Sequence, residues 1–141
     1  MFKITGEPLE SLDLKGPLAE SAAGAYVAFE GWVRDLNDGK TVTSLEYEAY
    51  TDLADKEGAR IIAEAMERFE IHEARCFHRS GHLQIGQMAV WVGVTAGHRG
   101  DAFSACRYII DEVKKRVPIW KKERYQAGDS GWLRSEGQVG P

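Results

Sequence analysis

The sequence has no long hydrophobic run and few cysteines. Its longest strongly apolar stretch, residues 88–94, is far shorter than the ~20 residues that a helix needs to cross a bilayer. Residues 1–16 contain acidic side chains and no apolar segment, which argues against a secretory signal. Cys76 and Cys106 are too few for a disulfide framework, and their spacing matches no zinc motif. We therefore expect a cytoplasmic protein with reduced thiols and no metal.

Sequence signatures of several enzyme classes are also missing. The chain contains no glycine-rich dinucleotide fingerprint, no P-loop and no G-x-S-x-G motif. Its 141 residues, 43% hydrophobic and 28% charged, match an average globular domain that can build a core without disulfides. We expect a single domain over residues 1–141, with an irregular lead-in over 1–24 and a flexible tail over 134–141.

Positive charge is concentrated in one segment. The net charge of −4 argues against general affinity for nucleic acid or for an anionic membrane. Residues 114–124 nevertheless contain six basic side chains and one acid, namely Lys114, Lys115, Arg116, Lys121, Lys122, Arg124 and Glu123. A basic island in an acidic protein favours a localised anion site, although a solvated helix end, stabilised by the helix dipole, explains the charge run equally well.

Hydrophobic periodicity predicts an α+β fold. The predicted strands cover residues 25–34, 41–50, 73–79 and 87–95, and the predicted helices cover residues 52–69 and 101–116. The Asp38-Gly39 pair is a favoured hairpin turn and predicts that the first two strands form a hairpin. The strand over 87–95 is almost continuously apolar, so we expect it at the centre of a sheet. The lead-in is expected to hold a short helix near 18–23, and the segment after Pro118 is expected to add a strand.

The first candidate site lies where the central strand meets the second helix. His98 and Arg99 stand between Gly97 and Gly100, at a helix start that offers free N–H groups and partial positive charge to an anion. Arg99 can bind a phosphate through two parallel hydrogen bonds, and His98 can exchange a proton near neutral pH. The alternative is that the glycines only form the turn and the two side chains are merely exposed.

The second candidate site pairs two lysines around a proline and a tryptophan. Lys114 follows Ile110 by four residues, so it lies at the edge of the apolar helix face. Partial burial and neighbouring cations are expected to lower the pKa of such a lysine and suit it to acid–base chemistry. Pro118 ends the helix and Trp120 anchors the next segment, which would direct Lys121. The alternative is an ordinary helix-end cation and a solvent-exposed lysine.

Two further groups of polar residues are weaker candidates. Arg34 ends a strand, where it can meet an anion or simply pair with a neighbouring carboxylate. Four potential metal ligands also lie close in sequence: His72, Cys76, His78 and His82. Because a Ser-Gly pair interrupts any helix that would align the last two, we expect no zinc site from them.

Five short segments in a fixed order together resemble the large, catalytic subunit of molybdopterin synthase. They are Phe29-x-Gly31-x-Val33-Arg34-x-x-Asn37, Leu45-x-Tyr47-Glu48-x-Tyr50, His78-Arg79-x-Gly81-x-Leu83, His98-Arg99-x-x-Ala102-Phe103 and Val117-Pro118-Ile119-Trp120-Lys121-Lys122-Glu123. The resemblance covers roughly residues 25–133. It implies an α/β-hammerhead fold with an additional antiparallel β subdomain.

The resemblance also implies an activity and its partners. In this family a homodimer of large subunits binds two small, ubiquitin-like sulfur-carrier subunits and forms a heterotetramer. The carrier's C-terminal Gly-Gly thiocarboxylate enters the large subunit, and two sulfurs are transferred to cyclic pyranopterin monophosphate to form the molybdopterin dithiolene. The resemblance implies a sulfurtransferase of molybdenum cofactor biosynthesis without a cofactor of its own.

The family's site residues carry over to positions in this sequence. Its two key lysines fall on Lys114 and Lys121, its aromatic pocket position falls on Phe29, and we assign Lys122 to substrate binding. Its anion-binding residues fall on Arg34, His98 and Arg99, which suit the substrate's phosphate.

One family residue has no clear match. Family members carry an arginine a few residues after the tryptophan that matches Trp132, and this arginine reaches the neighbouring subunit's pocket. Arg134 is close to that position but shifted, and the 129–131 segment looks one residue longer than usual. A contribution of Arg134 to the neighbouring subunit therefore stays open.

Two other functions remain as alternatives. A non-catalytic anion- or protein-binding domain can keep the same fold, although the presence of both lysines disfavours it. A lysine-dependent lyase that forms a Schiff base would need a carbonyl substrate and would be trapped by borohydride.

Overall fold

The computed structural model describes residues 1–134, which form nine strands and two α-helices. The strands are β1 (Phe2–Thr5), β2 (Ala25–Trp32), β3 (Leu36–Asn37), β4 (Lys40–Ala49), β5 (Ile71–Arg79), β6 (Gly81–Gln84), β7 (Met88–Ala96), β8 (Ile119–Tyr125) and β9 (Gly128–Arg134). The helices are α1 (Thr51–Arg68) and α2 (Arg99–Arg116). The α+β class is confirmed. The tail predicted over 134–141 lies outside the described residues except for Arg134.

The first sheet has the strand order β1-β5-β7-β2 and supplies most of the core. All nine residues of β7 are buried, because α1 and α2 cover one face of the sheet and the two 3₁₀ turns of the N-terminal segment pack on the other. This burial on both faces explains the continuous apolar run and confirms the central position predicted for this strand.

The second sheet is antiparallel and has the order β3-β4-β8-β9, with β6 also paired to β4. A small cluster of Val33, Leu45, Leu83 and Ala89 packs the second sheet against the first. The two sheets give the two-part architecture that the resemblance implies. The last helical residues of α2 and the start of β8 lie where the two parts meet.

The predicted pairing of the first two long strands is wrong. β2 pairs along its length with β7 in the first sheet, and β4 belongs to the second sheet. The hairpin that the Asp-Gly pair specifies joins β4 to the two-residue β3 instead, with φ of 50° at Asp38 and 76° at Gly39. The turn type is local and follows from these two residues, whereas the partner of a strand depends on long-range packing.

The N-terminal segment and the connection over 80–86 are more regular than predicted. β1 pairs in parallel with β5, and 3₁₀ turns lie at Leu9–Ser11 and Gly16–Leu18 instead of a helix at 18–23. A four-residue strand is too short to show a period, so its pairing escapes a sequence pattern. The same reason hides β6 in the connection before β7. The segment after Pro118 adds two strands, β8 and β9.

No helix within residues 1–134 is long and apolar enough to span a membrane.

Candidate active site

Lys114 and Lys121 lie on the walls of the same cavities although they belong to different elements. Lys114 is in the last turn of α2. The helix ends at Arg116, and the next residue, Val117, takes the extended conformation expected before a proline. The chain then turns into β8, which carries Lys121 back past the helix end. Pro118 therefore ends the helix at the point from which the chain can return and bring Lys121 to the same cavities as Lys114.

Two adjoining cavities share Tyr47, Lys114 and Lys121. The outer cavity has a volume of about 200 Å³, and its polar wall is formed by Arg34, Asn37, Tyr47, Lys114, Lys121 and Glu123. The inner cavity has a volume of about 60 Å³ and lies deeper, between α2 and the first sheet, where Val90, Ile110 and Val113 form its apolar wall. The two lysines thus stand between an open polar space and a small, mostly apolar one.

Successive side chains of β8 point to opposite faces of the sheet, and this decides which of its cations reach the cavities. Lys121 lies directly opposite Tyr47 on β4, so the two side chains share the face that lines the cavities. Lys122 points to the other face of the strand, where its ammonium group lies 4.6 Å from the centre of the Trp132 ring. Lys122 was assigned to substrate binding from the sequence, but it is not on the wall of either cavity.

Glu123 is a buried carboxylate that fixes Lys121. Its Oε1 lies 3.0 Å from the Lys121 ammonium and accepts a hydrogen bond of 2.8 Å from Asn37 Nδ2, and its Oε2 accepts one of 2.9 Å from the Tyr125 hydroxyl. Burial acts to raise the pKa of Glu123, but the hydrogen bonds from Asn37 and Lys121 outweigh it and hold this pKa below its usual value. Glu123 is therefore ionised at neutral pH and keeps Lys121 in place as a cation.

Arg34 joins the same network from the other side. Its Nη2 donates a hydrogen bond of 3.3 Å to Asn37 Oδ1, and Asn37 in turn donates to Glu123. The guanidinium is exposed at the wall of the outer cavity. Arg34 can therefore bind an anion that enters from solvent, while the hydrogen bond to Asn37 orients its guanidinium group.

Within the described residues, Lys114 has no carboxylate partner, in contrast to Lys121, which pairs with Glu123. Desolvation by the surrounding protein lowers the pKa of Lys114, and the charges of Lys121 and Arg34 lower it further, against a smaller opposing effect of Asp111. The Lys114 amine is therefore more easily neutral than an ordinary lysine and can exchange a proton.

Tyr47 and His78 complete the walls of the inner cavity. Their rings meet edge to face, with centroids 4.8 Å apart. Burial and the Glu123 charge raise the pKa of Tyr47 to about 12, and burial lowers the pKa of His78 to about 4. Both groups are uncharged at neutral pH, so they add hydrogen-bonding capacity to the cavity without adding charge.

His98 and Arg99 lie at the opposite end of α2 from Lys114. Arg99 is the first helical residue, fifteen residues before Lys114, which corresponds to roughly 22 Å along the helix axis. Both side chains are exposed. The phosphate-binding cluster of Arg34 with His98 and Arg99 that the resemblance suggested does not form within one chain.

Two other residues from the sequence prediction also lie outside the cavities. Phe29 is half-exposed on β2 and is not on the wall of either one. Arg134 places its guanidinium 4.9 Å from the centre of the Trp120 ring, and its Nη2 donates to the Val117 carbonyl at 3.3 Å. Arg134 therefore packs against its own chain, on the strand face opposite Lys121.

The 129–131 segment forms a bulge beside the site. Two residues of β9, Ser130 and Gly131, face the single residue Glu123 of β8. Gly131 has a φ of 69°, which a glycine adopts without strain. The Glu123 N–H donates to the Ser130 hydroxyl at 2.9 Å, so a side chain of the bulge fixes the backbone of β8 at Glu123.

No site role is predicted from the sequence for four residues that build the site, although all four stand in the segments that carry the resemblance: Asn37, Tyr47, His78 and Glu123. For Glu123 a signal was present, because a carboxylate two residues after Lys121 on a strand shares its face. The other three come from separate strands that only the fold brings together. Within residues 1–134, no three His, Cys, Asp or Glu side chains are grouped so that they could hold a metal.

Comparisons with known proteins find relatives over most of the chain. The family described as MoaE protein matches residues 4–116. The molybdopterin synthase catalytic subunit of Thermoplasma volcanium is 42% identical over 130 residues, which are 92% of this chain and 95% of that protein. Among solved structures, molybdopterin synthase from Staphylococcus aureus superimposes with a TM-score of 0.87 at 38% identity and covers 94% of this chain and 96% of its own.

A more distant structure has the same fold. It belongs to a complex of subunits 1 and 2 of molybdopterin-converting factor from Helicobacter pylori, with a TM-score of 0.78 at 20% identity over 97% of this chain and 92% of that chain.

Proposed function

Because the chain belongs to the MoaE family and has the function of a molybdopterin synthase catalytic subunit, we propose that its sulfur-transfer chemistry takes place between Lys114 and Lys121. The observation that carries this proposal is that the two lysines share both cavities although they lie on different elements. We take the substrate to be cyclic pyranopterin monophosphate and the sulfur donor to be the thiocarboxylate of a small carrier subunit.

The two lysines have different roles in this proposal. Lys121 is held as a cation by Glu123, so it neutralises the thiocarboxylate or the negative charge that develops during transfer. Lys114 has a lowered pKa and no carboxylate partner within residues 1–134, so it gives or takes the proton. Arg34 stands at the wall of the outer cavity and binds the phosphate.

His98 and Arg99 fit the same function only if a second protomer supplies them. They are too far from Lys114 to reach the cavities of their own chain, and the chain is proposed to act as a homodimer. We assign these two residues to the pocket of the neighbouring protomer, where they would add to the phosphate site that Arg34 begins. The same dimer, with one carrier on each chain, gives the proposed heterotetramer.

A mixed dimer tests this assignment. Arg99→Ala and Lys114→Ala chains are refolded together in equal amounts, and each variant is also measured alone. If Arg99 acts on the neighbouring pocket, every mixed dimer has one intact pocket, and the mixture recovers about a quarter of the wild-type activity. If Arg99 acts on its own pocket, the mixture stays as inactive as the two variants alone.

The carrier subunit is the proposed partner. The Helicobacter pylori neighbour is described as a complex of two subunits of molybdopterin-converting factor, and the outer cavity opens to solvent beside exposed Trp32. A narrow C-terminal tail can enter there and reach the lysines. The proposed location is the cytoplasm, in agreement with the two free, buried cysteines.

One assay tests the proposed function as a whole. The purified protein is mixed with thiocarboxylated carrier and cyclic pyranopterin monophosphate, and molybdopterin is measured. We expect product with the wild type and none with Lys114→Ala. If the wild type binds the carrier but forms no product, the chain is a non-catalytic binding domain. If borohydride traps a lysine adduct with the substrate, the Schiff-base alternative is correct.

A further inference from the structure

We propose that Asn37 is a positioning residue that couples the phosphate-binding group Arg34 to the Lys121 cation, through a side-chain amide that bridges Arg34 and Glu123. The proposal rests on the proposed function, in which Arg34 binds the phosphate and Lys121 neutralises the sulfur donor. It has a consequence that neither contact has alone, because the position must then hold a neutral amide, which an acid of the same shape cannot replace.

The orientation of the Asn37 amide follows from its partners. Its Nδ2 lies 2.8 Å from Oε1 and 3.0 Å from Oε2 of Glu123, and an ionised carboxylate can only accept a hydrogen bond. Its Oδ1 lies 3.3 Å from Nη2 of Arg34, and a guanidinium can only donate. The reverse orientation would set oxygen against oxygen and nitrogen against nitrogen, so the chemistry of the two neighbours allows only one orientation.

A short hairpin brings the amide to this place. Asn37 is the last residue of β3, which pairs with β4, and the turn that follows contains Asp38 and Gly39 in the left-handed conformation. Arg34 lies just before β3 and is exposed. Glu123, in contrast, lies on β8, 86 residues further along the chain, and is only 2% exposed. The amide thus connects an exposed arginine beside the hairpin to a buried carboxylate of the second sheet.

The same carboxylate carries the connection on to Lys121. Glu123 Oε1 accepts from Asn37 and also lies 3.0 Å from the Lys121 ammonium. The contacts therefore run without a break from the Arg34 guanidinium to the Lys121 ammonium, along the polar wall of the outer cavity. Because hydrogen bonds to charged groups are strong and directional, a displaced amide would misplace both cations at once.

A neutral side chain at position 37 also preserves the charge of the pocket. The wall of the outer cavity carries one carboxylate and three cations, namely Glu123, Arg34, Lys114 and Lys121. The carboxylate is paired with Lys121, whereas Arg34 pairs with no carboxylate in the part of the chain that the structure describes. Asn37→Asp would pair with Arg34 in competition with the substrate's phosphate, and it would face Glu123 with a like charge. The amide orients Arg34 without neutralising it.

Two variants and a matched control test this role. Asn37→Asp keeps the shape and adds a charge, and Asn37→Ala removes the bridge. Gln126→Glu makes the same amide-to-acid change on the exposed turn between β8 and β9. We expect KM for cyclic pyranopterin monophosphate to rise roughly tenfold or more in Asn37→Asp, and Asn37→Ala to raise KM and lower kcat by roughly tenfold each. Gln126→Glu should keep the wild-type constants.

The coupling itself is measured with Arg34→Ala, made in the wild type and in Asn37→Ala. We expect Arg34→Ala to raise KM less in the Asn37→Ala background, because the guanidinium has already lost its orientation there. Additive effects on KM would overturn the proposal, and so would an Asn37→Asp variant with the constants of Gln126→Glu. Lower thermal stability with unchanged KM and kcat would also overturn it, since that is the result of a merely structural role.

A titration separates this proposal from the proposed function, because it needs no turnover. We expect the pKa of Glu123, followed by ¹³C NMR of labelled glutamate, to rise in Asn37→Ala, since the hydrogen bonds from Asn37 help to hold it low. If this variant does not fold, the side-chain amide signals of Asn37 in the wild type decide, since they must shift as Glu123 titrates.

The two possible failures therefore have different signatures. A Glu123 titration that does not respond to Asn37 would overturn the coupling even in an active enzyme. A wild type that makes no molybdopterin would refute the proposed function, while the titration would still decide whether Asn37 holds Glu123.

Discussion

Two lysines of the same helix end, Lys114 and Lys115, have contrasting surroundings. Lys114 borders both cavities beside Lys121 and Arg34, whereas the Lys115 side chain is 58% exposed and lies 3.8 Å from the Glu112 carboxylate. The two residues are adjacent in sequence and carry the same charge. The difference in surroundings, not the charge run itself, makes one of them a candidate for chemistry.

We therefore predict that Lys114→Ala abolishes molybdopterin formation while Lys115→Ala leaves it near the wild-type rate. Each substitution removes one cation from the last turn of α2, so we expect the free energy of unfolding to change by only about a few tenths of a kcal/mol. Product formation and thermal unfolding of both variants check this. Equal activity of the two variants would contradict the assignment of Lys114.

Glu123 gives a second prediction at this scale, since its carboxylate is buried and accepts from Lys121, Asn37 and Tyr125. Glu123→Gln should lower the free energy of unfolding by about 1–3 kcal/mol and reduce activity by freeing Lys121. Because the folded pKa of Glu123 is lowered, its contribution is complete above its ordinary pKa of about 4.3 and is lost as the pH falls through the folded value.

Urea unfolding of the wild type and Glu123→Gln between neutral and acid pH measures this effect. The difference between the two should shrink as the pH falls. Glu46→Gln is the matched control, since Glu46 makes an exposed ion pair with Arg124 on the other face of the second sheet. A difference that does not depend on pH would show that the Glu123 carboxylate is not the cause.

The residues of the site differ in how far the sequence predicts them. Lys114, Lys121 and Pro118 lie within eight residues of one another, so local spacing was enough to bring them together. Tyr47 and His78 come from strands far away in sequence, and their place beside the lysines depends on the β4–β8 and β5–β7 registers. No local period carries that information, so the sequence presents both residues in the segments of the resemblance but only the structure places them beside the lysines.

At the scale of elements, α1 packs against β1 so closely that one glycine is required. A Cβ atom at Gly58 would overlap the ring of Phe2. Gly100 at the start of α2 is the opposite case, because a Cβ there meets nothing within 4 Å. The two helices contain one glycine each, and only the packing reveals which of them allows a close approach.

This contrast predicts opposite signs for the same substitution. Gly58→Ala should destabilise the protein by about 1–3 kcal/mol, because the overlap with Phe2 exceeds the gain in helix propensity. Gly100→Ala should be neutral or stabilise it by up to about 1 kcal/mol. Thermal unfolding measures both. A stabilising Gly58→Ala would mean that β1 does not pack on α1 as described.

At the scale of the whole molecule, the separation of His98 and Arg99 from Lys114 locates the proposed dimer contact. If these residues serve the neighbouring pocket, the start of α2 must lie at the interface. Phe103, one turn further along α2, has 61% of its surface exposed, and such an interface would cover it.

We therefore predict that Phe103→Asp converts the dimer into a monomer and lowers activity, with unchanged circular dichroism. Met66→Asp is the control, because Met66 is also exposed but lies near the end of α1. Sedimentation velocity at micromolar concentration measures the oligomeric state. A wild type that sediments as a monomer, or a Phe103→Asp variant that stays dimeric, would contradict this interface.

The last prediction concerns the whole assembly with the carrier. The cavities beside the two lysines measure only about 200 and 60 Å³, so the carrier can reach Lys114 with a slim tail but not with its globular part. Removing the terminal Gly-Gly from the carrier should therefore abolish sulfur transfer and leave weaker docking through the globular surface. A full-length carrier with an ordinary carboxylate is the control, since it should dock at full strength without transferring sulfur. Calorimetry measures docking and a molybdopterin assay measures transfer. Full activity with the truncated carrier would contradict tail insertion, and equal affinity of the two carriers would show that the tail does not reach Lys114 and Lys121.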